Sequence, residues 1–302
     1  MADIEWSPES GGSCTALLES EIGDAAAESI KLIEWRPAIS LNPQLFAALL
    51  TEIAEFIRRS NANFNTVRHF SERWRRNCER NIRFFAATAR KTAGKLELLD
   101  KTIVICASGP SLEQKTAELQ SLRKAGALLL AVSSSFLALS SRGFFPDFVF
   151  ASDGGAWARF HFFALLRDSS KKPLVAAPLN AMLPSQLETF PLVLTGDGTE
   201  FQTKMLKEAG LPPFTLTQRG TVTASALDFA KNLSRVPPLV FGADFACQGI
   251  LSHARPYALD ALFENSASRL KPVEHCRWER VRALLAGGSL KVFADWWRSQ
   301  VK

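Results

Sequence analysis

Three aspartates each stand within two residues of a glycine just after a short apolar run. Asp153 is in Ser-Asp-Gly-Gly, Asp197 in Gly-Asp-Gly-Thr and Asp244 in Gly-Ala-Asp-Phe. A carboxylate among such small neighbours leaves room for a ligand. It could hold ribose hydroxyls or, at Asp153 and Asp197, a metal ion. The same pattern also builds an Asx-turn that needs no ligand. Ser108-Gly109-Pro110-Ser111 offers a different chemistry. Gly109 permits a sharp turn, Pro110 fixes the loop, and Ser111 can cap a following helix whose free amides suit a phosphate. Gly220-Thr221-Val222-Thr223 opens a second helix of small residues, with Arg219 just before it. Ser133 and Ser134 add hydroxyls after another apolar run. His253 follows Asp244 by nine residues. An ordinary histidine, with a pKa of about 6.5, can take a proton from an attacking hydroxyl. His69, His161 and His275 lack a carboxylate at metal-ligand spacing, so no histidine zinc site is expected.

These residues need a scaffold, and the apolar runs supply one. Ile103–Cys106, Leu128–Val132, Phe148–Ala151, Leu174–Ala177, Leu192–Leu194 and Leu239–Phe241 are short and apolar throughout. That is the pattern of parallel strands covered on both faces. Helical stretches are expected between them at Ser111–Lys124, Ser135–Arg142, Thr199–Glu208 and Thr223–Asn232. The alternation predicts an α/β fold, a Rossmann-like doubly wound, mainly parallel sheet. In such sheets the ligand crevice lies outside the carboxyl ends of the strands. Asp153 and Asp244 are therefore expected at the crevice, and Asp147, which precedes its strand, at the opposite edge.

Composition bounds the rest. The chain has 302 residues, 47% hydrophobic and 22% charged, with a formal net charge of +6. This suits a folded globular protein rather than a disordered one. No apolar run reaches the roughly 18–20 residues of a membrane span. The acidic start lacks the basic segment of a signal peptide. Five cysteines without a C-x-x-C pair argue against a disulfide framework, so a cytoplasmic setting is expected. Residues 1–28 read as a loosely ordered acidic N-terminus, 29–98 as a helical basic lead-in, 99–260 as the α/β domain and 261–302 as a C-terminal helical segment. Residues 58–95 hold eleven Lys and Arg against two acids. Arg73, Arg76, Arg80 and Arg83 fall on one helix face, with Asn77 and Asn81 near them. This stripe is either a solvated face or a surface for an anionic ligand. No nucleic-acid motif accompanies it.

Four segments occur in order: Ala-Ser-Gly-Pro-Ser-Leu at 107–112, Gly-Phe-Phe-Pro-Asp-Phe-Val-Phe-Ala-Ser-Asp at 143–153, Gly-Thr-Val-Thr-Ala-Ser-Ala at 220–226, and Phe-Gly-Ala-Asp-Phe with Ser-His at 241–253. Together they resemble the MptE-like domain of archaeal 6-hydroxymethylpterin diphosphokinases and bacterial motility-associated factors. Trp74 to Asn81 is similar to the helical lead-in of the latter. The resemblance implies a nucleotide-binding Rossmann-like transferase. It points first to a glycosyltransferase that moves a sugar from a CMP donor, such as a nonulosonic acid, to a protein hydroxyl on a flagellin-like acceptor. The alternative is diphosphate transfer from ATP to a hydroxymethylpterin, with Mg2+ on Asp153, Asp197 or Asp244. A binding-only relative is a third reading. The Gly-Pro-Ser loop is also similar to that of bacterial sialyltransferases. In that scheme Ser108, Gly109, Pro110, Ser111, Ser133, Ser134, Asp153, Gly154, Gly220, Thr221 and Thr223 bind the nucleotide. Asp153 and Asp244 position the donor, and His253 is the base. Ala107 stands where the usual loop has its first glycine.

Overall fold

The structure is a computed structural model describing residues 6–7, 13–22, 29–93, 97–167, 170–216 and 220–300. Two compact units, residues 1–72 and 73–302, divide the chain. The first is helical: α1 (Cys14–Glu21), α2 (Arg36–Leu41) and the larger part of α3 (Pro43–Ala93). Ser13 caps α1 by accepting from Ala16 N at 3.1 Å.

The second unit holds six parallel strands: β1 (Ile103–Cys106), β2 (Leu128–Val132), β3 (Phe148–Phe150), β4 (Leu174–Pro178), β5 (Leu192–Thr195) and β6 (Leu239–Phe241). Their order is β5-β4-β3-β2-β1-β6. The first five step outward one by one, and β6 then returns to the free side of β1. The order therefore reverses between β1 and β6, where a Rossmann-like sheet opens its crevice.

Both faces are covered, so apolar residues alternate between two cores rather than between core and water. Ile103, Ile105, Leu130, Phe148 and Phe150 face α8 (Val222–Leu233), where Phe229 is fully buried. Val104, Cys106, Leu129 and Ala131 face α4 (Thr116–Lys124) and α5 (Phe136–Ser140). Val149, Val175, Ala177 and Leu192 pack with Phe85 and Ala89 of α3 and with Leu206 of α7 (Glu200–Glu208). The remaining helices are α6 (Phe163–Arg167), α9 (Asp260–Ser266), α10 (Val273–Ala286) and α11 (Ser289–Gln300).

The helices after β1 and β2 begin differently from expectation. Pro110–Lys115 and Ser133–Ser135 are 3₁₀ turns that precede α4 and α5. Gly109, not Ser111, occupies the capping position of the first. All five cysteines are free thiols. No described helix is long and apolar enough to cross a membrane.

Candidate active site

At the junction of β1 and β6 the chain satisfies its own polar groups. Gly109 N donates to Gly242 O at 2.8 Å, and Ser111 N donates to Asp244 Oδ2 at 2.8 Å. Ser111 Oγ also donates to Asp244. The anion at this helix start is thus the protein's own carboxylate. A phosphate expected on the Gly109 and Ser111 amides would find both engaged. Only glycine fits at 109, because a Cβ there would lie 2.5 Å from Gly242 O and 2.6 Å from the Asp244 carboxyl carbon. Phe245 completes the turn at φ 46°, a left-handed conformation unusual for a side chain of its size.

The loops after β3 and β4 are held by the part of α3 within the second unit. Asn77 Nδ2 reaches Gly154 O at 3.1 Å and Asn180 O at 2.9 Å. Asn81, fully buried, donates to Leu179 O at 2.9 Å and Ala181 O at 2.8 Å, while Arg80 donates to Leu183 O. These three residues of the basic stripe therefore bind backbone carbonyls, not a ligand. Gly154 lies under Trp74, whose Nε1 would be 2.6 Å from an added Cβ.

The aspartates have separate tasks. Asp153 is exposed at the carboxyl end of β3; its Oδ1 accepts from Gly155 N at 2.7 Å in an Asx-turn. Asp197 accepts from Thr199 N at 2.9 Å and Gln202 Nε2 at 2.8 Å, at the start of α7. Asp147 binds Arg123 and accepts from Leu129 N at 2.8 Å, at the amino edge of the sheet. Among the described residues no group of three His, Cys, Asp or Glu side chains could hold a metal ion. Asp153, Asp197 and Asp244, the three metal candidates, belong to different loops.

The other strand-end residues line the same edge. Ser133 is buried and Ser134 half-buried after β2, and Ser135 Oγ lies 2.6 Å from Cys106 O, joining the ends of β1 and β2. Thr221 caps α8 by accepting from Ala224 N at 3.1 Å; Thr223 is buried two residues on. Gly220, at φ 72°, packs against Phe293 of α11. Arg219 lies outside the described residues.

One cluster near these strand ends is not self-satisfied. The loop after β6 is fastened to the β1 loop, with Ala254 N donating to Ser108 O at 2.8 Å. This brings His253 over Tyr257, the only tyrosine of the chain, with ring centroids 4.1 Å apart and planes 10° from parallel. Ser252 Oγ lies 2.9 Å from His253 Nδ1. The His161 ring centroid is 5.6 Å from that of Tyr257, and its buried Nδ1 has no hydrogen-bond partner. The Arg280 guanidinium, from α10, is 5.9 Å from the Tyr257 centroid.

Burial, and then the charge of Arg280, push His253 down to about 3. Burial takes His161 down to about 4, against the charge of Asp153, which favours protonation. Tyr257 is raised to about 12, chiefly by burial. Both imidazoles are thus neutral at physiological pH. They can accept a proton but are weak bases until a negative charge arrives.

His253 was legible from its loop, but His161, Tyr257 and Arg280 were not singled out. His161 had one signal. In the 3₁₀ segment Ala156–Phe162, side chains repeat every three residues, so Ala158 and His161 face inward while Trp157 and Phe163 remain exposed. Tyr257 and Arg280 are set by long-range packing and carry no local pattern.

The family model for 6-hydroxymethylpterin diphosphokinase MptE-like proteins matches residues 72–249. An uncharacterized protein of Treponema pallidum (strain Nichols) is 25% identical over 285 residues, covering 94% of this chain. The chain spans 60% of that relative's length. Among solved structures, a MAf glycosyltransferase from Magnetospirillum magneticum AMB-1 aligns with a TM-score of 0.44 and 15% identity, over 66% of this chain and 32% of that one. His253, Tyr257 and Arg280 lie beyond the family-matched segment.

Proposed function

The chain belongs to the 6-hydroxymethylpterin diphosphokinase MptE-like family, and from that membership we propose a nucleotide-dependent transferase whose donor lies at the carboxyl ends of β1 to β3. The favoured donor is a CMP-activated acidic sugar and the acceptor a protein hydroxyl, as on a flagellin-like protein. The observation that carries this reading is the cluster of His161, His253, Tyr257 and Arg280 beside the β1 loop, with His161 buried and unpartnered. A native protein rarely leaves a buried polar group unsatisfied without a use for it.

In this reading the acceptor oxygen bonds to the anomeric carbon of the sugar. The bond from that carbon to the phosphate oxygen breaks, and CMP leaves with its electron pair. The acceptor proton passes to Nε2 of His253, while Nδ1 is oriented by Ser252. Asp153 holds the donor through its second oxygen. Ser108, Ser133, Ser134 and Thr223 line the approach. The negative donor offsets Arg280, so His253 gains basicity only when the donor is bound.

The family's description favours a second reading, diphosphate transfer from ATP to a pterin hydroxyl. That chemistry uses magnesium on the triphosphate. Asp197 and Asp244 are engaged at helix starts, which leaves Asp153 to offer one oxygen to such an ion. Titration calorimetry with CMP, a CMP-sugar and ATP, each with and without magnesium, tests the proposal. Binding of CMP and CMP-sugar without a magnesium requirement is expected. Magnesium-dependent ATP binding with no CMP binding would replace the first reading by the second. No nucleotide binding at all would leave a binding-only relative.

A further inference from the structure

Between the loop 250–257 and α10 lies a cavity of about 10 Å³, lined by Ser252, His253, Tyr257, Asp260, Arg277 and Arg280 among others. That is room for one water or one oxygen of a larger group. Two of its lining residues carry an unpartnered nitrogen: Nε of Arg277 and Nε of Arg280 are buried and have no hydrogen-bond partner. Nη2 of Arg277 is engaged, donating to Asp260 Oδ2 at 3.2 Å. Arg280 forms no ion pair with a carboxylate among the described residues. Its guanidinium is instead 5.9 Å from each of the Tyr257 and Phe263 centroids.

Arg255, Arg277 and Arg280 line the cavity with Asp260 as its one carboxylate; Arg255 is paired with Glu113 and Arg277 with Asp260, which leaves the charge of Arg280 unbalanced among the described residues. A water would satisfy one donor but would not balance that charge. An oxygen carrying negative charge does both, and charge-assisted bonds to guanidinium are the stronger kind.

We infer that this cavity is an oxyanion site in which the guanidinium of Arg280, with that of Arg277 beside it, holds one oxygen of a carboxylate or phosphate, its body extending toward His253 and Tyr257. The inference rests on the donor reading above, where that oxygen belongs either to the carboxylate of an acidic sugar or to the nucleotide phosphate. Arg280 is then a specificity-determining residue that selects a donor bearing a properly placed negative group. Arg277, tied to Asp260, is the second donor and the more structural of the two.

The test is titration calorimetry on the full chain with four probes: CMP, CMP-N-acetylneuraminic acid, free N-acetylneuraminic acid and inorganic phosphate. Wild type is compared with Arg280→Gln and Arg280→Lys, after thermal melting shows that each folds. Arg280→Gln is expected to weaken oxyanion binding about 10- to 100-fold. Arg280→Lys keeps the charge but loses the fixed fork, so it should recover only part of that loss. It also keeps the test open if the glutamine variant does not fold. A loss confined to the two carboxylate-bearing sugars assigns the site to the sugar. An equal loss for CMP and phosphate assigns it to the nucleotide. If the free acid or phosphate binds in an Arg280-dependent way while no nucleotide binds, the donor reading fails and the oxyanion site stands. Unchanged affinities in both variants, or a wild type that binds none of the four probes, overturn the inference.

Discussion

At the β1–β6 junction Gly109, Ser111, Gly242 and Asp244 satisfy one another through hydrogen bonds of 2.8 Å, and an added Cβ at Gly109 has no room. Near the same strand ends, His161 Nδ1 and the Nε atoms of Arg277 and Arg280 are buried without partners. Both regions are rich in the residue types that bind phosphates. The first is complete without a ligand and acts as scaffold. The second holds donors and acceptors that only a ligand or water can satisfy, and it is there that we propose the chemistry lies. A glycine-rich turn at a helix start is therefore not enough to mark an anion site; whether its amides are already engaged decides the matter.

Variants on the two sides should part company in what they change. His253→Ala should lower turnover about 10²- to 10⁴-fold with little change in melting temperature, measured by steady-state transfer assay and calorimetry. An unchanged turnover would remove His253 as the base. Gly109→Val should act in the opposite sense. Its branched side chain must displace a backbone carbonyl and the Asp244 carboxylate, so denaturant unfolding should show a loss of about 3 kcal/mol or more. A Gly109→Val protein as stable as wild type would mean that the junction is not packed as described. Asp244→Ala leaves the Ser111 amide without its acceptor and should cost about 1–3 kcal/mol in the same measurement.

The smallest expected effect is on acid stability. Both histidines have folded pKa values, about 3 for His253 and about 4 for His161, below the ordinary value. As pH falls from about 6.5, the unfolded chain takes up protons that the folded chain refuses, so stability declines through that window and the effect levels off below the folded values. Between about pH 6.5 and 5 the slope should approach 1 kcal/mol per pH unit for each histidine. His161→Gln should remove its share. Equal slopes in wild type and His161→Gln would show that His161 takes up its proton as readily in the folded protein as in the unfolded chain.

The sheet was largely legible in the sequence. All six apolar runs became strands with ends within one residue, because strands buried on both faces write themselves as continuous hydrophobic runs. Asp153, Asp147 and His253 followed from strand polarity, which fixes where a residue before or after a run must lie. The meaning of the Gly109 loop was not legible, since its anion, Asp244, is far along the chain and local sequence cannot show that it folds back. The Arg80, Asn77 and Asn81 stripe was misleading for the same reason: its carbonyl partners lie about a hundred residues away. His161 and Arg280 gain their character from burial, a tertiary property that residue type and spacing do not encode.

The central claim is that the histidine cluster, not the glycine corner, meets the charged part of the donor. The most direct measurement is the pH titration of the imidazole resonances of His161 and His253 by NMR, without ligand and with a saturating CMP-sugar. Without ligand both rings should stay neutral well below pH 6. With the donor bound, the His253 midpoint should move up by about one pH unit or more as the donor's charge offsets Arg280. A donor that binds to saturation while leaving both imidazoles at their ligand-free positions would contradict the account.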